Sequence, residues 1–243
     1  MSPGVTRAAK NSVKPRPPCR LCCNGRHDGV NAAEPKTTAE ARSRRVALSF
    51  RAFMEALGLD LRDPNLVGTE WRVARAYGEL LAGHYAEAEP RLRSFPNSEG
   101  YAEPVSVTDI GFHSLCAHHF LPFFGTAHVA YVPGKSLVGL SKLSRVVDFY
   151  ARRPQLQERM TEQIAALVER QLRPAGTLVV IRARHLCMEM RGVGKAGLTT
   201  TTSAIRGVFK DSRLRRGLPE PLSGSSGTLG EPWSASPGED WAD

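Results

Sequence analysis

The sequence predicts an α+β domain in which helices cover one face of an antiparallel sheet. Three observations support this prediction. Apolar residues recur at helical spacing in four segments, other segments alternate in the manner of strands, and 41% of the residues are hydrophobic, which is enough for a substantial core. A chain of 243 residues can form one large domain or two small ones.

Two helices are predicted ahead of the first strand. Residues 47–57, ALSFRAFMEAL, have apolar residues at helical spacing, and Gly58 is the expected stop. The second helix is expected to have Thr69 as its N-cap and to end at Gly83. Its predicted apolar face consists of Val73, Ala76, Tyr77, Leu80 and Leu81.

The centre of the chain alternates strands with two more helices. Residues 105–112 and 125–132 are predicted strands, and the segment SLCAHHFLPFFG lies in the connection between them. A helix over residues 139–153 is ended by Pro154, and residues 177–190 and 199–209 form two later strands. The helix over residues 155–172 has one apolar stripe, made of Leu156, Met160, Ile164, Leu167, Val168 and Leu172.

Both ends of the chain differ in composition from this domain. Residues 1–44 are expected to be a disordered basic leader, residues 45–216 the folded domain, and residues 217–243 a disordered acidic tail rich in Gly, Ser and Pro. The leader contains a cluster that either binds a metal adventitiously or is unstructured, namely Cys19, Cys22, Cys23 and His27.

The overall charge favours an anionic ligand. The net charge is +9, and residues 47–216 keep +7 of it. Nucleic acid is one candidate ligand, but no nucleic-acid-binding motif is recognised and aromatics are only 7%, so a small phosphorylated substrate explains the charge equally well. The sequence has no apolar run of bilayer length, no secretory signal and an odd count of five cysteines, and it therefore predicts a cytoplasmic protein with no membrane association.

A metal site is predicted from two separate segments. Cys116 and His119 form a Cys-x-x-His pair on a loop, which by itself is compatible with a metal site or with a buried cysteine and incidental histidines. Cys187 is the candidate third ligand, because on a strand over 177–190 it shares a face with His185. Two thiolates and one imidazole suit Zn²⁺, and three protein ligands leave a fourth position for water, as in catalytic zinc sites.

Two histidines remain beside these ligands. His118 and His185 each neighbour a ligand without being needed as one, so they are candidates for the general acid and base around the bound water.

Other residues are candidates for binding an anion and a base. Those that could clamp a polyphosphate are Arg72, Ser141, Lys142, Arg145 and Arg191. Glu158, next to Gln157, has the chemistry to pair with two N–H groups of a guanine edge, although spacing alone favours a solvated first helical turn.

Several linked segments in this order resemble GTP cyclohydrolase I. They are SLCAHHFLPFFGTAHVAYVPG, GLSKLSRVVDFYARRPQLQERMTEQI, RHLCMEMRGV and TTTTSAIRGVF, with GTEWRVARAYGELLAGHY before them. The resemblance covers residues 45 to 212 and implies the tunnelling fold, with subunits assembled into a toroidal homodecamer. It also implies conversion of GTP and water to 7,8-dihydroneopterin triphosphate and formate.

The resemblance also implies roles for individual residues. Cys116, His119 and Cys187 match the zinc ligands, and His118 and His185 match the catalytic histidines. Residues at triphosphate and ribose positions are Ser141, Lys142, Arg145 and Arg191, while Arg72 matches an arginine contributed by a neighbouring subunit. Gln157 and Glu158 match the guanine-recognising pair, so the functional interpretation of Glu158 is preferred.

One position departs from the family pattern. Members often have a glutamate between the cysteine and the two histidines, whereas this chain has Ala117. Loss of a supporting carboxylate would lower metal affinity or rate. Three interpretations remain. The first is an active enzyme whose product serves synthesis of folate, another pterin or a deazapurine. The second is a catalytically idle paralogue that binds a nucleotide or a partner, and the third is a nucleic-acid-binding protein that uses the basic leader.

Overall fold

The computed structural model describes residues 37–86 and 88–223. The Cys19–His27 cluster and most of the predicted acidic tail lie outside them. The chain divides into two compact units, residues 1–41 and 42–243, and only residues 37–41 of the first are described. There the Thr37 hydroxyl accepts from the Glu40 N–H while the Glu40 carboxylate accepts from the Thr37 N–H, a reciprocal pair typical of a helix start.

The described elements are seven α-helices, a short 3-10 helix at Val208–Lys210 and seven strands. The helices are α1 Thr38–Ala56, α2 Thr69–Leu80, α3 Ala82–Tyr85, α4 Leu140–Ala151, α5 Gln157–Leu172, α6 Leu186–Glu189 and α7 Ser212–Arg216. The strands are β1 Ser94–Pro96, β2 Val105–Cys116, β3 Pro122–Val132, β4 Ser136–Val138, β5 Pro154–Gln155, β6 Gly176–His185 and β7 Thr199–Gly207. None of the described helices is both long and apolar enough to span a bilayer.

The main sheet has five strands in the order β5-β2-β3-β6-β7. The four long strands pair antiparallel, as predicted, but β5 pairs parallel with β2 through Leu115–Pro154 and Cys116–Gln155. The sheet is therefore mixed, and the prediction of a purely antiparallel sheet was wrong. A strand of two residues that includes a proline has no periodicity to reveal it.

Helices α4 and α5 cover one face of this sheet. Met160, Ile164 and Leu167 of α5 are fully buried in the core that they form with β2, β3 and β6. The opposite face has a smaller core, in which Phe209 and Leu222 cover Leu178 and Val180 of β6. The structure thus confirms an α+β domain with its main helices on one side.

Several predicted boundaries differ from the observed ones. Helix α1 starts at Thr38, nine residues before the predicted start, because the reciprocal Thr37–Glu40 pair caps it ahead of its apolar residues. Gly68, with φ 75°, takes the N-cap position of α2 that was assigned to Thr69. At the other end, Leu222 is only 2% exposed, so the first residues of the predicted tail pack on the domain.

The predicted strand over 177–190 is confirmed only as far as His185. β6 ends at His185, and Cys187 lies on α6, a helix of a single turn. Val179, Ile181 and Ala183 alternate into the core along β6, and Cys187 packs against the same core from α6.

Close packing of β3 on β6 sets the geometry below the site. Gly125 pairs with Ala183, and a Cβ at Gly125 would lie 1.9 Å from the Arg182 carbonyl oxygen. Only glycine fits this approach. Two residues earlier, Phe123 pairs with His185 and so brings the end of β6 beside the start of β3.

Candidate metal centre and active site

The connection between β2 and β3, residues 117–121, is called the metal loop here. Its backbone is closed by the Cys116 N–H, which donates to the Leu121 carbonyl, and by the Phe120 N–H, which donates to the Cys116 carbonyl. Phe120 has φ 53°, a strained conformation for a residue with a side chain. The Ala117 N–H donates to the Gln155 carbonyl at 2.9 Å, so β5 fixes the loop from outside.

The structure brings the three predicted metal ligands together. One ligand atom from each of Cys116, His119 and Cys187 lies within 4.8 Å of the others. Cys116 Sγ is 3.8 Å from His119 Nδ1. Two sulfurs and an imidazole nitrogen at such distances fit a borderline-soft divalent cation, and three ligands leave room for a further one.

The surroundings of Cys187 disfavour its thiolate form when no cation is present. Burial raises the pKa of the Cys187 thiol, the nearby Cys116 thiol raises this pKa further, and Arg191 opposes both effects. Two adjacent thiols resist ionising together, whereas a metal cation between them favours both thiolates.

An ion pair ties α6 to the end of β6. The Arg184 guanidinium donates to both carboxylate oxygens of Glu189, at 2.9 and 2.6 Å. The Glu189 side chain is only 7% exposed, so this pair is largely shielded from water on one side. Because a single helical turn is unstable on its own, this clamp holds Cys187 in place. Sequence reasoning missed both residues, since a five-residue separation matches neither helix nor strand periodicity.

His185 is fixed between an aromatic ring and an amide. Its imidazole stacks parallel on Phe123, with 4.7 Å between ring centroids, and its Nε2 lies 2.8 Å from Gln157 Oε1. Burial lowers the pKa of His185, and the nearby Glu158 carboxylate opposes that shift.

The Gln157 side chain is bonded to the protein interior. Gln157 is 1% exposed, and its Nε2 group donates to the carbonyls of Ile181 and Thr200, both at 3.0 Å, and to the Thr202 hydroxyl at 3.2 Å. This places the Gln157 amide nitrogen on the carbonyl side and leaves Oε1 to accept from His185. In this structure the Gln157 side chain therefore contacts His185, a catalytic candidate, and its predicted contact with the base stays a prediction.

The remaining candidates occupy the exposed side of the site or lie away from it. His118 is exposed, and its ring meets the His119 ring edge-on at 6.1 Å. Glu158 is exposed in the first turn of α5, next to Gln157. Arg72 makes all its hydrogen bonds to residues 65–69 of its own segment.

The start of α4 presents the predicted anion-binding residues together. Ser141 and Arg145 are exposed and Lys142 is half-buried, and the N-cap of α4 is Gly139, which has no side chain to satisfy the first amides. Lys142 and Arg145 form no ion pair with any residue between 37 and 223 that the structure describes. Free cations beside unsatisfied helix amides favour a phosphate ligand.

The sequence of this chain is similar to those of known proteins. Residues 46–220 match the family model described as GTP cyclohydrolase I. The GTP cyclohydrolase 1 of Pelotomaculum thermopropionicum is 50% identical over 173 residues, which cover 71% of this chain and 92% of that protein.

Two further relatives have similar coverage. The GTP cyclohydrolase 1 of Mycolicibacterium vanbaalenii is 48% identical over 182 residues, covering 74% of this chain and 90% of that protein. That of Bacillus subtilis is 45% identical over 178 residues, covering 73% and 93%. Among solved structures, the apo archaeosine synthase QueF-like protein has a TM-score of 0.37 and 17% identity, over 43% of this chain and 94% of that one.

Proposed function

The chain belongs to the GTP cyclohydrolase I family of hydrolases, and we propose from that premise that it converts GTP and water to 7,8-dihydroneopterin triphosphate and formate in a zinc-dependent reaction. The observation that supports this most is the convergence of Cys116, His119 and Cys187 within 4.8 Å. These residues come from two distant segments, and His185 stands on the strand that leads into α6.

Zn²⁺ is the metal that the donor set favours. Cys116, His119 and Cys187 would hold it, and it would supply Lewis-acid activation of the water that attacks C8 of the guanine ring. The chain itself contributes the orientation of these ligands through the closed metal loop and the Arg184–Glu189 clamp.

His185 is the proposed proton donor to N7 as the imidazole ring of guanine opens. Because Gln157 Oε1 can only accept, His185 Nε2 carries a hydrogen in this arrangement. None of the hydrogen bonds among the described residues uses His185 Nδ1. In this proposal Nδ1 first takes up a proton from solvent, which gives the imidazolium, and then passes that proton to N7 while Nε2 keeps its hydrogen on Gln157. We propose His118, exposed on the metal loop, for proton transfer at the ribose, which opens and rearranges before the new ring closes.

The other residues bind and orient GTP in this proposal. Glu158 accepts from the guanine N–H groups, and the wrong base would leave its carboxylate unpaired. The triphosphate and ribose meet the α4 start and the loop after α6, through Ser141, Lys142, Arg145 and Arg191. Arg72 would reach the site of a neighbouring subunit.

The wider assignments are also proposals. The α+β architecture with a mixed sheet is compatible with the tunnelling fold, and the family resemblance supports a toroidal homodecamer in the cytoplasm. The product would feed synthesis of tetrahydrofolate, another pterin or a deazapurine.

The test is release of formate from GTP by purified protein, with zinc content measured on the same sample. Cys187→Ala removes one ligand, and we expect loss of zinc together with a fall in turnover to background. Cys22→Ala, which removes a thiol from the leader, is the matched control and should keep both.

Undiminished formate release by Cys187→Ala would rule out the metal site. GTP binding without formate release by the zinc-loaded wild type would instead support the idle paralogue.

A further inference from the structure

A cavity of about 410 Å³ lies on the β5 side of the metal loop. Its lining includes Ala117 of the loop, Arg153, Arg159 and Gln163, and no lining residue has a carboxylate. The volume is within the range of small-molecule sites. The cavity is distinct from the start of α4, where the residues proposed for the triphosphate lie.

The first arginine is held in place by uncharged partners. Arg153 Nε donates to the Gly83 carbonyl at 2.9 Å, and its guanidinium lies 4.1 Å from the centre of the Phe149 ring. These contacts orient the guanidinium without neutralising it, and they leave its terminal N–H groups available.

The second arginine is fixed by a buried amide. Arg159 donates through Nε to Gln155 Oε1 at 2.9 Å and through Nη2 to the Pro154 carbonyl at 2.6 Å. Gln155 is itself 1% exposed, and its Nε2 donates to the Tyr150 carbonyl and to Gln163 Oε1, both at 2.9 Å. The support for Arg159 is therefore part of the folded interior.

Neither guanidinium has a carboxylate beside it in the cavity lining. Within the described ranges, neither Arg153 nor Arg159 takes part in an ion pair. His84 also lines the cavity, and Gln163 has an amide nitrogen with no hydrogen bond among the residues that the structure describes. Two oriented arginines with further donors are the arrangement that binds an oxyanion in bidentate fashion.

We propose that this cavity binds a phosphate-type oxyanion, separately from the triphosphate of GTP. Ala117 brings the metal loop into the lining of this cavity. Gln155 connects the two sites. It accepts from Arg159 through its side chain and from the Ala117 N–H through its carbonyl, and it pairs with Cys116 across the sheet. This inference does not depend on the proposed reaction.

The test is a calorimetric titration of the intact oligomer with inorganic phosphate. Arg159→Gln removes one of the two guanidiniums, and we expect the Kd to rise by about tenfold or more. Ala117→Glu places a carboxylate beside both arginines, and we expect a similar loss without removal of any part of the Gln155 network. Arg145→Gln, on α4, is the matched control and should leave the Kd of this site unchanged.

An unchanged Kd in both Arg159→Gln and Ala117→Glu would overturn the proposal. So would loss of phosphate binding in Arg145→Gln alone, since the ion would then occupy the substrate site. Crystals soaked in selenate give a second measurement, with an anomalous peak expected between Arg153 and Arg159, and a cavity without selenium would contradict the proposal.

Discussion

The His185 imidazole is held on two sides at the scale of single residues. Phe123 is completely buried and stacks on one face of the ring, and Gln157 accepts from Nε2 at one edge. The three protein acceptors around Gln157 Nε2 in turn prevent the amide from turning. We therefore propose that Gln157 is a positioning residue, which keeps the hydrogen of His185 on Nε2.

This role predicts the effect of replacing Gln157. In Gln157→Leu, the acceptor for His185 is lost, and we expect kcat to fall by about 10- to 100-fold with little change in the KM for GTP. The measurement is steady-state formate release with GTP and with inosine triphosphate, which lacks the 2-amino group. Zinc content and far-UV circular dichroism check that the variant is folded.

Glu158→Gln is the matched comparison for base recognition. It should raise the KM for GTP and reduce the preference for GTP over inosine triphosphate, whereas Gln157→Leu should keep that preference. Loss of the preference in Gln157→Leu would show that Gln157 contacts the base after all.

The convergence of the three candidate metal ligands was predictable from residue types and spacing. Cys116, His119 and Cys187 were identified as ligands because few uses other than a metal explain two thiols and an imidazole in apolar segments. The partner of Gln157 was not predictable, because its contacts connect residues 24 to 45 positions apart, and no local pattern encodes them.

At the scale of elements, the change from β6 to α6 decides the position of Cys187. The sequence alternates through His185, and continued alternation would have extended the strand. The Arg184–Glu189 pair instead stabilises a single turn, because it joins the end of β6 to the last residue of α6. The long strands and α5 were predictable because each has a full apolar periodicity, but elements of two to four residues have too few positions to show one.

The clamp predicts a change in metal affinity. Glu189→Gln removes the charge that holds Arg184, so α6 loosens, and we expect zinc affinity to fall by about tenfold or more. The measurement is a competition titration with a chromophoric chelator. Asp211→Asn breaks the pair with Arg213, far along the chain on α7, and is the control that should leave zinc affinity unchanged. Equal affinities in wild type and Glu189→Gln would show that α6 needs no clamp.

At the scale of the whole molecule, a single chain leaves apolar and hydrogen-bonding surface uncovered. Phe53 on α1 is 56% exposed, Leu57 just after α1 is 60% exposed, and Trp71 on α2 is 43% exposed. Strand β7 is at the edge of the five-stranded sheet, where unpaired backbone groups can accept another strand. Exposed aromatic and aliphatic groups on adjacent helices are typical of an interface, which supports the proposed self-association.

Self-association predicts a linked loss of assembly and activity. Phe53→Asp places a charge at an exposed position, so the subunit should fold while the oligomer dissociates into smaller species in sedimentation velocity. Turnover should fall with it, because Arg72 of a neighbouring subunit is then missing from the site. Leu214→Asp, a change of the same kind on α7 at 46% exposure, is the control that should retain the full assembly.

An intact oligomer in Phe53→Asp would exclude α1 from the interface. Full turnover by a dissociated form would show that each subunit carries a complete site.

The contact at Gly125 has a consequence for how variants of this chain should be interpreted. Even a methyl group there would collide with the Arg182 carbonyl and force β3 away from β6, two residues from the pair that aligns Phe123 with His185. An allele with alanine at 125 would therefore be inactive while every cysteine and histidine of the chemistry was retained. Genome surveys that score activity only from the ligand residues would count such an allele as functional.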